Sequence, residues 1–270
     1  MATTWDPEQY LRFETERARA FHDLVAQVAH LSPGTVVDLG CGPGQLTATL
    51  AERWPDATVI GIDSSAAMIA EAAPRTVPGR LEFRQGSIEE WRPPAPVDLV
   101  FSNAALQWVP SHVDLLGTWV RDAVIPGGTI AFQVPSPAGS AAAVTFRTVA
   151  ASPEWSDRLG AVALGASPRA LRSAVRTPDE YLDVLARLGC AVNAWETTYL
   201  HVLSGDDPVL EWFAGTGLRP YLDALAGDAA ATTAFRAEVA EALREAYPRE
   251  PYGTVLPFRR TFVVAGTPNG

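Results

Sequence analysis

The chain has 270 residues, 47% of them hydrophobic, enough to bury one substantial core or one core with an inserted cap. A formal charge of −10 and a pI near 4.9 argue against nucleic acid or an anionic membrane as partner. All 21 basic residues are arginine, which excludes a lysine base or a Schiff base.

The opening Met1-Ala-Thr-Thr-Trp-Asp-Pro7 has neither the basic nor the apolar region of a secretory signal. Asp6-Pro7 is read as the start of the first helix, Asp as N-cap and Pro at the first helical position. Phe21, Leu24, Val25 and Val28 recur at helical spacing as its buried face. The helix precedes the first strand, so it is expected outside the core sheet, with Tyr10 to Arg17 a candidate cover for a ligand.

From Thr35 onward strand and helix alternate, the mark of a parallel sheet with crossover helices. The first strand, Val36-Val37-Asp38-Leu39, runs into Gly40-Cys41-Gly42-Pro43-Gly44, and a helix starts at Gln45. The glycines permit a tight turn and a close ligand, and Asp38 falls at the carboxyl end of the strand, where open α/β sheets bind. Their spacing is Asp-x-Gly-x-Gly-x-Gly, which differs from the Gly-x-Gly-x-x-Gly of a dinucleotide fold. The second strand, Thr58 to Ile62, ends in Asp63, an acid placed to accept from both hydroxyls of a ribose. Ser64-Ser65 cap the next helix, Leu81 to Arg84 form a short third strand, and Gly86-Ser87-Ile88 follow. Val97 to Ser102 is the fourth strand, ending in Asn103; a helix from Ser111 to Val124 leads through Pro126-Gly127-Gly128 into the fifth, Thr129 to Val134.

After Val134 the alternation stops. Residues 141–176 read as helical pieces broken by Pro153 and Pro168, and Thr177-Pro178-Asp179-Glu180 is a capping box that opens a helix ended by Gly189. A strand from Cys190 to Val202, helices from Pro208 to Tyr247 and a last strand from Phe258 to Val264 complete the chain. Cys41 and Cys190 lie far apart without metal-ligand spacing, so a reduced cytoplasmic setting and no metal site are expected. No apolar run approaches the ~20 residues that span a bilayer, and a soluble protein is expected.

The turn together with Asp63 resembles the motif of class I S-adenosylmethionine (SAM) methyltransferases. That resemblance implies S-adenosyl-L-methionine as cofactor and a Rossmann-like α/β fold. Its seven-stranded sheet would be mostly parallel, with an antiparallel last strand between the fifth and sixth, plus a helical cap. It implies one domain over 1–270, a cap helix within 1–32, and inserts at 135–177 and 204–250 forming a lid. Further segments narrow it: Trp5-Asp6-Pro7-x-x-Tyr10, Asn103-Ala-x-Leu-Gln-Trp108, Thr197-Thr-Tyr-Leu-His201, Gly217-Leu-Arg-Pro220 and Arg260-x-Phe262. With the core motif they resemble the trans-aconitate 2-methyltransferase family over nearly the whole length, apart from residues 136–176.

The resemblance implies that Asp38, Gly40 and Gly42 border the methionine part and ribose of SAM. Asp63 would bind the ribose hydroxyls, flanked by Ser64. Ser87, beside Ile88, stands where the family usually has an Asp for the adenine amino group. Asn103 would lie beneath the sulfonium. The expected substrate is a small polycarboxylate. A carboxylate is already ionised at pH 7 and needs no base, and of the four histidines only His201 lies in a family-like segment. His22, His30 and His112 are read as surface or packing residues. Arg pairs bidentately with carboxylates, so Arg17, Arg219 and Arg260 are the candidate forks. Tyr10, Gln107, Trp108, Tyr199 and His201 are further pocket candidates, the last two also for positioning. A small-molecule methyltransferase acting on another acid or a hydroxyl remains open. The glycine spacing counts against a nicotinamide dehydrogenase, and Asp63 against a non-catalytic SAM-binding protein. The enzyme is expected to be a monomer or weak homo-oligomer.

Overall fold

The apolar runs become strands of one sheet: β1 (Thr35–Leu39), β2 (Thr58–Asp63), β3 (Leu81–Gln85), β4 (Val97–Asn103), β5 (Val124–Pro135), β6 (Ala191–Leu203), β7 (Arg249–Glu250) and β8 (Gly253–Gly266). The computed structural model describes residues 14–136, 140–164 and 175–270. The main path is β3-β2-β1-β4-β5-β8-β6, and β7 pairs with β8 off that path. β1 to β5 pair in parallel, and β8 runs antiparallel to β5, lying between it and β6. The seven expected strands are therefore present in the expected order, and the two-residue β7 is an addition.

Central strands of a parallel sheet are covered on both faces and need near-continuous apolar sequence. Val36, Val37 and Leu39 of β1, Leu99 to Phe101 of β4, and Ile130 to Phe132 with Val134 of β5 are buried accordingly. The helix Glu14–Val28 packs outside this sheet, with Phe21 edge-on to Phe101 at a ring-centroid separation of 5.3 Å. The expected Asp6-Pro7 helix start lies outside the described residues.

The order reverses direction at β1, between β2 and β4, and such a switch point is where open α/β sheets bind ligands, at the carboxyl ends of the strands. Three boundaries depart from expectation, one of them the start of β8 at Gly253 rather than Phe258. β5 begins at Val124, because Val124 pairs with Val97 before the register shifts and Thr129 takes up pairing with Leu99. The helix expected from Ser111 to Val124 is α-helical only over His112–Thr118, and Trp119–Ala123 follow as a π turn that buries Trp119. The capping box is formed: the Glu180 carboxylate accepts the Thr177 N–H at 2.9 Å and starts the helix Pro178–Arg187.

The described residues fall into two units. The first holds 14–136, 175–197 and 260–270, the sheet with its crossover helices. The second holds 140–164 and 198–259, with helices Ala141–Ala150, Ser156–Ala163, Pro208–Ala214, Arg219–Ala224 and Ala229–Ala246. It has an aromatic core of its own. Trp155 meets Phe235 edge-on at 5.2 Å and donates its indole N–H to Glu238 at 2.9 Å, and Phe146 packs on Phe213 at 5.5 Å. No helix among the described residues is long and apolar enough to cross a membrane.

Candidate functional site

The site of the first unit is built on the turn after β1. Gly40 and Cys41 donate their N–H groups to the Ile62 carbonyl at 2.7 and 3.0 Å, tying the turn to the end of β2. Gly40, Gly42 and Gly44 all have positive φ, at 83°, 55° and 82°, yet they serve different ends. A Cβ on Gly40 would stand 2.2 Å from the Ala105 Cβ and 3.6 Å from Ile88, and one on Gly44 would strike the Phe83 ring at 2.7 Å. Those two glycines are required by the protein's own packing. A Cβ on Gly42 would meet nothing within 4 Å, so Gly42 alone faces open space where a ligand can approach the backbone.

Two carboxylates border that space. Asp38 is 3% exposed, and its Oδ2 accepts from the Thr47 hydroxyl at 2.6 Å. Its Oδ1 is buried with no partner among the described residues, an acceptor awaiting a donor. Burial pushes the Asp38 carboxyl up to about 7; the Thr47 hydrogen bond opposes the shift and nearby Asp63 adds to it. Asp63 Oδ2 accepts the Gly42 N–H at 3.0 Å and its Oδ1 the Ser65 N–H at 2.9 Å. Each oxygen keeps a second lone pair for a hydroxyl. Burial raises this carboxyl too, opposed by the two backbone hydrogen bonds. The Cys41 thiol, inside the turn, is buried and held well above its ordinary range by burial and by both carboxylates.

The remaining cofactor candidates surround this centre in sequence and sheet. Ser64 is exposed next to Asp63, and the Ser87 hydroxyl oxygen accepts the Glu89 N–H at 3.1 Å. Asn103 ends β4, the strand beside β1, where the neighbouring Ser102 hydroxyl donates to the Leu39 carbonyl at 2.7 Å. Ala104, directly after it, has φ 54°, the only positive φ outside glycine among the described residues. This corner brings Ala105 onto Gly40, and the Ala104 carbonyl accepts the Gln107 amide at 2.6 Å. Gln107 Oε1 is buried without a partner among the described residues, so on this side its amide offers an acceptor. Trp108 is half-buried.

Arg260 on β8 is 4% exposed and donates to Gln133 Oε1 at 3.2 Å. Gln133, on β5 directly opposite Asn103, is fully buried and donates from Nε2 to Asn103 Oδ1 at 2.5 Å. A chain of three side chains thus crosses β8, β5 and β4. Sequence reasoning missed Gln133. The available signal was an amide inside the apolar run Ile130-Ala-Phe-Gln-Val134, where it must find buried partners.

Other candidates belong to the second unit. Tyr199 and His201 alternate along β6, both buried, with rings stacked 6.0 Å apart, and His201 stacks on Trp212 at 4.9 Å. Arg219 pairs through Nε with Asp223 at 2.8 Å, one helical turn on. Tyr10 and the side chain of Arg17 lie outside the described residues. His112 is a core residue, as expected. Its Nδ1–H donates to the Val109 carbonyl, its Nε2 accepts from the Tyr181 hydroxyl, both at 2.8 Å, and burial lowers its pKa. Among the described residues no cluster of three or more His, Cys, Asp or Glu side chains could hold a metal ion.

Residues 36–128 match the family described as a methyltransferase domain. A trans-aconitate 2-methyltransferase of Streptomyces avermitilis is 51% identical over 97% of this chain and 96% of its own length. Those of Streptomyces coelicolor and Mycobacterium tuberculosis are 47% and 40% identical, over 100% and 97% of this chain and 88% and 96% of theirs. Among solved structures, the YcgJ protein of Bacillus subtilis superposes with a TM-score of 0.56 at 12% identity, covering 93% of this chain and 100% of its own. A SAM-dependent methyltransferase of Thiobacillus denitrificans in complex with S-adenosyl-L-homocysteine gives 0.52 at 18%, covering 98% and 94%. At such identities the structural likeness concerns the fold.

Proposed function

Because this chain belongs to the trans-aconitate 2-methyltransferase family of SAM-dependent methyltransferases, we propose that it methylates one carboxylate of trans-aconitate to a monomethyl ester. The observation that carries this reading is sequence identity extending over both units, well beyond the methyltransferase domain of 36–128. Bound SAM supplies an electrophilic methyl group on a sulfonium.

The residues present fit that cofactor. The unpartnered Asp38 Oδ1 supplies an acceptor beside the backbone opening at Gly42, and the spare lone pairs of Asp63 suit a pair of ribose hydroxyls. In this reading Asp38, Gly40 and Gly42 border the methionine part and ribose, with Ser64 flanking the ribose. Ser87 and Ile88 serve the adenine, and Asn103 lies beneath the sulfonium. The acceptor carboxylate is ionised at neutral pH, so the chain has to position it rather than deprotonate it. The buried Arg260 guanidinium supports recognition of an anion. Tyr10, Arg17, Gln107, Trp108, Tyr199, His201 and Arg219 are carried by the family resemblance; for Arg219 a substrate role competes with the Asp223 pair. The whole chain acts as one methyltransferase domain in the cytoplasm, as a monomer or weak homo-oligomer and without nucleic acid.

The test is transfer from methyl-labelled SAM to trans-aconitate, read by mass spectrometry. A singly labelled monoester is expected. Transfer only to a different acid or to a hydroxyl overturns the substrate assignment and leaves a methyltransferase of other specificity.

A further inference from the structure

The Arg260–Gln133–Asn103 chain has a direction, and the direction decides what Asn103 offers a ligand. A guanidinium carries donors and no acceptor. The Gln133 atom facing Arg260 must therefore be Oε1, as the 3.2 Å contact has it. The other end of that amide is then Nε2, a donor, so the Asn103 atom facing it must be Oδ1. With its oxygen committed to Gln133, Asn103 is left with its NH2 group pointing away from the chain. A lone Asn at a strand end can flip its amide to suit either kind of partner. Here the fully buried Gln133, held from behind by a permanent cation, prevents the flip.

We propose that Gln133 is a positioning residue that fixes Asn103 as a hydrogen-bond donor to a ligand carboxylate at the carboxyl end of β4. The place fits: Asn103 is half-buried, β4 adjoins β1, and the corner after Asn103 packs on Gly40 of the cofactor turn. Two ligands of the proposed reaction bring carboxylates, the acceptor acid and the amino-acid end of SAM, and an outward NH2 group suits either of them rather than the cationic sulfonium under which the family resemblance puts Asn103. The inference deepens the reading above and rests on it for the identity of the acid. Asn103 orientation itself follows from the three side chains alone.

Gln133→Glu separates this role from mere packing. The variant is isosteric and gives Arg260 a better acceptor, so the buried strand is kept. A carboxylate cannot donate to Asn103, whose amide must then turn its NH2 inward and its oxygen toward the ligand. Asn103→Ala removes the donor directly, and the double variant closes the cycle. The expected result is a rise of about tenfold or more in one carboxylate ligand's constant in each single variant, with the double variant no worse than either single. A rise in KM for trans-aconitate assigns the donor to the acid, and a rise in the SAM dissociation constant assigns it to the cofactor. The Asn103 side-chain amide signals in 15N-labelled protein should shift in Gln133→Glu without any ligand. Unchanged constants, or effects of the two substitutions that multiply, overturn the proposal. If wild type fails to turn over trans-aconitate, the substrate reading falls, while the SAM titration and the amide signals still test the orientation of Asn103.

Discussion

Asp38 holds its buried carboxyl near neutrality, and this has consequences on both sides of the binding equilibrium. An aspartate whose folded pKa lies above its unfolded value binds protons more tightly in the folded state. Its contribution therefore falls as pH rises from about 4 to about 7, at a cost of the order of 4 kcal/mol for a shift from 3.8 to about 7. A cationic ligand beside Asp38 offsets the desolvation and the Asp63 charge that favour that proton. SAM binding at pH 7 should release roughly half a proton, and almost none at pH 9, as read by calorimetry in buffers of different ionisation enthalpy. Gly40 and Gly42 make a second contrast. Gly42→Ala should fold, losing about 1–2 kcal/mol to its left-handed backbone, and should bind SAM far more weakly. Gly40→Ala adds a methyl 2.2 Å from the Ala105 Cβ and should cost several kcal/mol by thermal denaturation, ligand or no ligand.

The corner between β4 and the turn Leu106–Trp108 places Ala104 where glycine is at ease. Ala104→Gly relieves that conformation but frees the unfolded chain, so a net gain of about 0.5–1 kcal/mol in denaturant unfolding is expected. At this scale the sequence was legible wherever one period or one cap dominated. The buried runs of β1 and β4 and the Thr177 box could be read from it, whereas the order of strands in the sheet rests on the family resemblance. β5 was cut short because Pro126-Gly127-Gly128 reads as punctuation, whereas pairing of Val124 with Val97 holds the segment in the sheet. The π turn at Trp119–Ala123 leaves no mark, since an apolar stripe does not reveal one extra residue in a helical turn. The candidate acids Asp38 and Asp63 are legible because they fall at strand ends. Gln133 is not, because its partners come from β4 and β8, 30 and 127 residues away.

For the whole molecule, the charge of −10 means that the proposed polyanionic substrate would have to be drawn in by local groups against an unfavourable overall field. Buried Arg260 is the proposed group of this kind within the sheet unit, and with Gln133 and Asn103 it forms a polar chain across three strands. No metal is needed to neutralise an acceptor that reacts as its anion. Turnover in excess chelator should equal that in its absence; activity that vanishes and returns with Mg²⁺ would point to a different chemistry. Identity with the Streptomyces avermitilis enzyme extends over both units.

The buried thiol inside the glycine turn turns the chain into its own reporter. Cys41 is shielded and kept protonated, so an alkylating reagent reaches it only when the turn opens; Cys190, just before β6, is buried as well and serves as an internal reference. The alkylation rate of Cys41 thus measures how often the cradle comes apart. Because a bound ligand stabilises only the closed form, SAM at a hundred times its dissociation constant should slow labelling of Cys41 about a hundredfold and leave Cys190 unchanged. Equal slowing at both would mean that the sheet opens as one body. Mass spectrometry of two peptides then yields the stability of the glycine turn without any assay of methyl transfer.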